Sequence, residues 1–124
     1  MKKILLILLL FSINTSNVHS IEPDVFVQST VNRASQILSK NISKEEKINE
    51  LKSIARETVD IKGVGFYSLG SARKNLSDSQ KIQYIKLFED YFLKSFSSRL
   101  AEYTNPEIEV NNKKILNENY TIVN

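Results

Sequence analysis

The 124-residue chain carries 17 Lys and Arg against 14 Asp and Glu, one histidine, and no cysteine or tryptophan, which excludes thiol chemistry, disulfide staples and cysteine-based zinc sites. Lys2, Lys3 and His19 all lie in the first 20 residues, so residues 21–124 hold 15 basic and 14 acidic side chains and no histidine. That near-neutral remainder has no basic footprint for nucleic acid and lacks the commonest general base.

Residues 1–20 read as a cleavable secretory signal peptide. Met1-Lys2-Lys3 is a short basic start, Ile4–Phe11 an unbroken apolar run, and Val18 and Ser20 take the −3 and −1 positions of a cleavage site. The run is about half of the ~20 residues a membrane-spanning helix needs. The mature chain is expected to start at Ile21, and residues 21–124 to belong to one domain. Without cysteine, a lipid-modified anchor is excluded.

Helices come next. Val27, Val31, Ala34 and Leu38 recur at helical spacing and predict an amphipathic helix over 24–39. Ser43 and Glu46 form an S-x-x-E capping box for a second helix, whose stripe is Ile48, Leu51, Ala55 and Val59. The charged residues between them (Glu45, Lys47, Glu50, Lys52, Arg56, Glu57) make a solvated face. Residues 60–70 hold all three glycines. Asp60 is expected to cap a short helix to about Leu69, with Gly70 as its left-handed stop and Gly63 and Gly65 allowing close helix packing. The glycine spacing matches no phosphate-binding loop.

Ser77 and Gln80 make a second capping box, ahead of the longest helix, predicted over 78–103. Its apolar face is wide and aromatic, with Phe88, Tyr91, Phe92 and Phe96 close together. Asn105-Pro106 closes it. Strands are predicted at 107–110, 114–116 and 120–123, with 111–114 as a polar turn. The expected class is α+β, with the N-terminal helices on one face of an antiparallel sheet. Because the last predicted strand runs to the final residues, the chain is expected to be the N-terminal part of a longer protein.

Leu69-Gly70, Ser77 to Gln80, Phe88 with Phe92, and Leu100 with Tyr103 occur in an order and spacing that resemble the MlaC family. This is the periplasmic phospholipid-binding component of the Mla pathway, also described as the toluene-tolerance auxiliary family of ABC transport systems. One departure is the polar and basic Ser71–Asn75, where relatives commonly carry an aromatic residue. The resemblance implies a non-enzymatic periplasmic carrier without a cofactor. It would move phospholipid between an outer-membrane lipoprotein complex and an inner-membrane ABC transporter complex, with no nucleic-acid partner, and act as a monomer. Each buried methylene is worth about 0.8 kcal/mol, so acyl chains need an apolar shelter to cross water. Val64, Phe66, Leu69, Phe88, Phe92 and Phe96 are the candidate lipid contacts, with Arg73 or Lys74 near the headgroup. The ligand could also be a hopanoid or another envelope lipid. The alternatives are an exported helical adaptor that binds only proteins and, ranked last, an enzyme built on carboxylates or tyrosines.

Overall fold

The computed structural model describes residues 20–124. The expected signal peptide lies outside the described residues, Ser20 excepted. Among the described residues four α-helices are followed by a two-stranded antiparallel sheet, an α+β arrangement as expected.

Helix α1 spans Pro23–Ser39. Pro23 sits in the first turn, where a missing N–H breaks no helical bond, and Asp24 lies at the positive end of the helix dipole. Helix α2 spans Lys44–Thr58 behind the predicted capping box. Ser43 Oγ accepts from Glu46 N at 3.2 Å and Glu46 Oε2 accepts from Ser43 N at 2.9 Å. The Ser43 side chain, bonding Glu46, holds that carboxyl below its ordinary value.

Helix α3 spans Ile61–Ser68, capped by Asp60, whose Oδ1 accepts from Gly63 N at 2.9 Å. The two glycines of α3 have different work. A Cβ on Gly63 would fall 2.2 Å from Asp60 Oδ2, so this glycine makes room for the cap and not, as its sequence context suggested, for another helix. A Cβ on Gly65 would meet Phe88 Cδ1 at 2.9 Å, so here the absent side chain does let α3 close onto the last helix. Gly70 takes the left-handed conformation (φ 53°) expected of it and opens a 3-10 helix, Gly70–Asn75, which the polar run Ser71–Asn75 had not disclosed.

Helix α4 spans Asp78–Leu100 behind the Ser77–Gln80 capping box. It ends three residues earlier than periodicity suggested. Glu102 N bonds Arg99 O at 3.2 Å and Tyr103 N bonds Leu100 O at 3.0 Å, the tighter i→i+3 pattern that closes helix ends. Asn105 then turns left-handed (φ 52°) ahead of Pro106, which disfavours the α conformation in the residue before it.

The strand predicted at 107–110 does not form. Its one backbone bond to another element, Val110 N to Gln28 Oε1 at 3.4 Å, goes to a side chain of α1 instead of a neighbouring strand. Strand β1 (Lys113–Asn117) pairs with β2 (Tyr120–Val123), with Lys113 opposite Val123 and Ile115 opposite Thr121. The predicted turn at 111–114 is extended, because Asn111 N and Asn124 N bond Asn124 O and Asn112 O across the hairpin. The true turn is at Glu118-Asn119, where Asn117 Oδ1 accepts from Asn119 N at 2.9 Å. The hairpin rests on α1.

Two small clusters form the core. Ile37, Leu38, Leu51 and Ile54 join α1 to α2, and Ala55, Ile61 and Leu93 join α2, α3 and α4, with Phe88 and Phe92 packed against them. Seven apolar residues are buried among those described. Other large apolar side chains, Ile82, Leu87 and Tyr91 of α4 among them, are exposed. Ser97 of α4 is fully buried, and its Oγ has no hydrogen-bond partner among the described residues. A buried unsatisfied hydroxyl costs about 1–3 kcal/mol. Ser97→Ala is therefore expected to raise stability by about 1 kcal/mol, read as a higher urea midpoint at unchanged slope.

Candidate functional site

The apolar faces of α1, α2 and α4 turn toward one another around a cavity of about 620 Å³. Its volume is within the range of small-molecule sites, roughly 300–1,000 Å³. Helix α1 contributes Thr30, Val31, Ala34 and Leu38. Helix α2 and its C-cap contribute Leu51, Ile54, Ala55, Thr58 and Val59, and α4 contributes Phe96 and Leu100. The fourth wall is the irregular segment after α4, through Tyr103, Pro106, Glu107 and Ile108.

The cavity follows from side-chain size. Along α1 the stripe is Val27, Val31 and Ala34 before it reaches Leu38. Short side chains on a helix that faces two others fill less of the space between them, and an apolar gap open to solvent at Tyr103 and Ile108 remains. Ile37, Leu38, Leu51 and Ile54 pack α1 on α2, and Leu38, Leu51 and Ile54 also line the cavity. Polar bonds hold α1 to α2 on the outside of the pair: Arg33 Nη2 meets Glu57 Oε2, and Lys40 Nζ meets Glu50 Oε2, each at 2.6 Å. Both pairs are exposed, so they fix alignment more than they add stability.

The fourth wall is fastened at its far end. Lys113 Nζ reaches Glu22 Oε2 at 2.7 Å and Asp24 Oδ1 at 2.8 Å, both at the start of α1. The Lys113 hydrogen bond holds the Asp24 carboxyl below its ordinary value of 3.8. Hydrogen bonds to Asp24 and then to Glu22 raise the Lys113 ammonium above its ordinary 10.5.

The six candidate contacts from the sequence separate. Phe96 lines the cavity and is 40% exposed. Phe88 and Phe92 pack on the Ala55–Ile61–Leu93 cluster. They continue a ladder of stacked rings, Tyr84–Phe88–Phe92–Phe96, with centroids 5.9, 6.2 and 5.5 Å apart. Val64, Phe66 and Leu69 belong to α3 and its C-cap and do not line the cavity; Val64 is 43% exposed. Arg73 and Lys74 lie exposed on the 3-10 helix, also away from it. Val31, Ala34, Leu38, Leu51 and Ala55 were legible as buried stripes but not as cavity wall. The available signal was the helical periodicity of the two stripes, which gives the inward face but not whether facing stripes touch.

Among the described residues no group of His, Cys, Asp and Glu could hold a metal ion, and no helix is long and apolar enough to cross a membrane. The arrangement can enclose apolar matter between three helices and one strap. A family model described as MlaC protein matches residues 28–124. No curated protein and no solved structure matches the chain.

The clamp predicts a pH dependence whose sign is fixed by the two shifts. The depressed Asp24 carboxyl stabilises the docked hairpin above the ordinary carboxylate range, and this is lost as pH falls through its lowered value. The raised Lys113 stabilises it below the ordinary lysine value and is lost as pH rises through the raised one. Amide protection of β1 and β2, measured against α2, is expected to be level between about pH 5 and pH 9 and to fall below about pH 4. Lys113→Met is expected to flatten that acid-side change.

Proposed function

Because the chain belongs to the MlaC family, a family of periplasmic lipid-binding carriers and not of enzymes, we propose that it shelters the acyl chains of a phospholipid in the cavity between α1, α2 and α4 and carries the lipid across the periplasm. Membership in that family supports a role related to phospholipid transport in general. The shuttle itself is our reading. Lipid would pass between an outer-membrane lipoprotein complex and an inner-membrane ABC transporter complex, after export under the signal peptide of residues 1–20. Residues 21–124 would contribute to a single lipid-binding domain.

The observation that carries this reading is the cavity's lining. Aliphatic and aromatic side chains form most of the surface, with Thr30, Thr58 and Glu107 the few polar side chains beside the Tyr103 hydroxyl. Such a space is unfavourable for water and favourable for methylene groups, each worth about 0.8 kcal/mol on leaving water. No side chain needs to do chemistry: binding and release of an apolar tail require only that the space exist and open. We place tail contact on Val31, Ala34, Leu51 and Phe96. Phe88 and Phe92 would act behind them, as the packed base that holds Phe96 in place.

Organic-solvent extraction of protein purified from the periplasm, followed by mass spectrometry, tests this. Phospholipid at about one molecule per chain is expected. Ala34→Trp, which fills the space from α1, is expected to lower the bound lipid about tenfold while the far-ultraviolet dichroism stays helical. Protein that emerges lipid-free from cells would contradict the carrier reading and favour an adaptor that binds only proteins.

A further inference from the structure

The polar groups around the cavity are few and of one kind. Thr30 Oγ1 donates to Phe26 O at 3.0 Å, and Thr58 Oγ1 donates to Ile54 O at 2.7 Å. Each threonine hydrogen is thus committed to its own helix, and what remains toward the cavity is oxygen lone pairs and methyl groups. Glu107 is the one charged residue lining the cavity among those described, and it is an anion. It is exposed as well as lining, which puts its carboxylate at the rim. No lysine or arginine lines the cavity among the described residues, and Lys113, six residues along, is engaged with Glu22 and Asp24. Among the described residues the lining therefore offers hydrogen-bond acceptors and a negative charge, with the Tyr103 hydroxyl as its one uncommitted side-chain donor.

We infer that Glu107 sets headgroup preference, selecting lipids whose polar end carries an ammonium group over lipids whose headgroup is purely anionic. This rests on the carrier reading above. With tails in the cavity, the headgroup emerges at the rim. An ammonium brings N–H donors and a positive charge to a ring of acceptors. A headgroup whose only charge is its phosphate brings like charge to Glu107 and finds no lining cation. The carboxylate is solvated, so the discrimination is of the size of an exposed ion pair, about two- to fivefold, and weakens with salt.

The test is competitive loading. Purified protein, stripped of lipid, is incubated with vesicles of equal parts phosphatidylethanolamine and phosphatidylglycerol. It is then re-isolated, and the bound lipids are counted by mass spectrometry. The ethanolamine lipid is expected to exceed the glycerol lipid about two- to fivefold at low salt. The ratio should approach one with Glu107→Gln and invert with Glu107→Lys. Glu109→Gln, two residues along and outside the lining, changes the net charge equally and is expected to keep the original ratio. Lipid bound without preference, or a preference untouched by Glu107→Gln, overturns this inference and leaves the carrier reading standing. Protein that loads neither lipid overturns both.

Discussion

The packing of α4 against α2 is the contact on which the rest of the molecule depends. Ala55 of α2 and Leu93 of α4 are buried together with Ile61 of α3, and Ser97 is buried one turn beyond Leu93. This contact fixes the floor from which Phe96 and Leu100 rise toward α1. Helix α3 then closes on α4 at Gly65, where any side chain would collide with Phe88. The stacked rings from Tyr84 to Phe96 are braced from behind by that closure. A cavity persists only when its walls cannot collapse into it, and collapse is what otherwise limits the cost of missing core volume. Here one wall is braced by α3, another is pinned by outer ion pairs, and the strap is clamped through Lys113.

Where the sequence was read correctly, the reason is local chemistry. The boxes at Ser43–Glu46 and Ser77–Gln80 and the cap at Asp60 each satisfy a backbone N–H within three residues, so no tertiary information is needed to see them. The same holds for Gly70, whose left-handed turn follows from lacking a Cβ. What failed was non-local. Residues 107–110 alternate as a strand would, yet a strand exists only with a partner, and this segment lies instead against α1 and the cavity. Asn111-Asn112 looked like a turn because asparagine favours turns, but pairing with Asn124 draws both into the hairpin.

The candidate site divides along the same line. Periodicity identifies which helix faces point inward, and it did so for Val31, Ala34, Leu38, Leu51 and Ala55. It does not say whether facing stripes meet. Phe88 and Phe92 sit on the same aromatic face as Phe96, and periodicity alone does not separate them from it. In the fold those two rings pack on Ala55, Ile61 and Leu93 and do not line the cavity. Phe96 is where the ladder runs out of core and enters the cavity.

The central claim is that acyl chains occupy the space between the first, second and fourth helices. Its most direct measurement is by nuclear Overhauser spectroscopy on protein loaded with a deuterium-free phospholipid against a methyl- and aromatic-labelled background. Cross-peaks from chain methylenes to the Val31 and Leu51 methyls and to the Phe96 ring are the predicted result. Cross-peaks confined to Val64, Phe66 and Leu69 on the third helix, with the Val31 and Leu51 methyls silent, would contradict it.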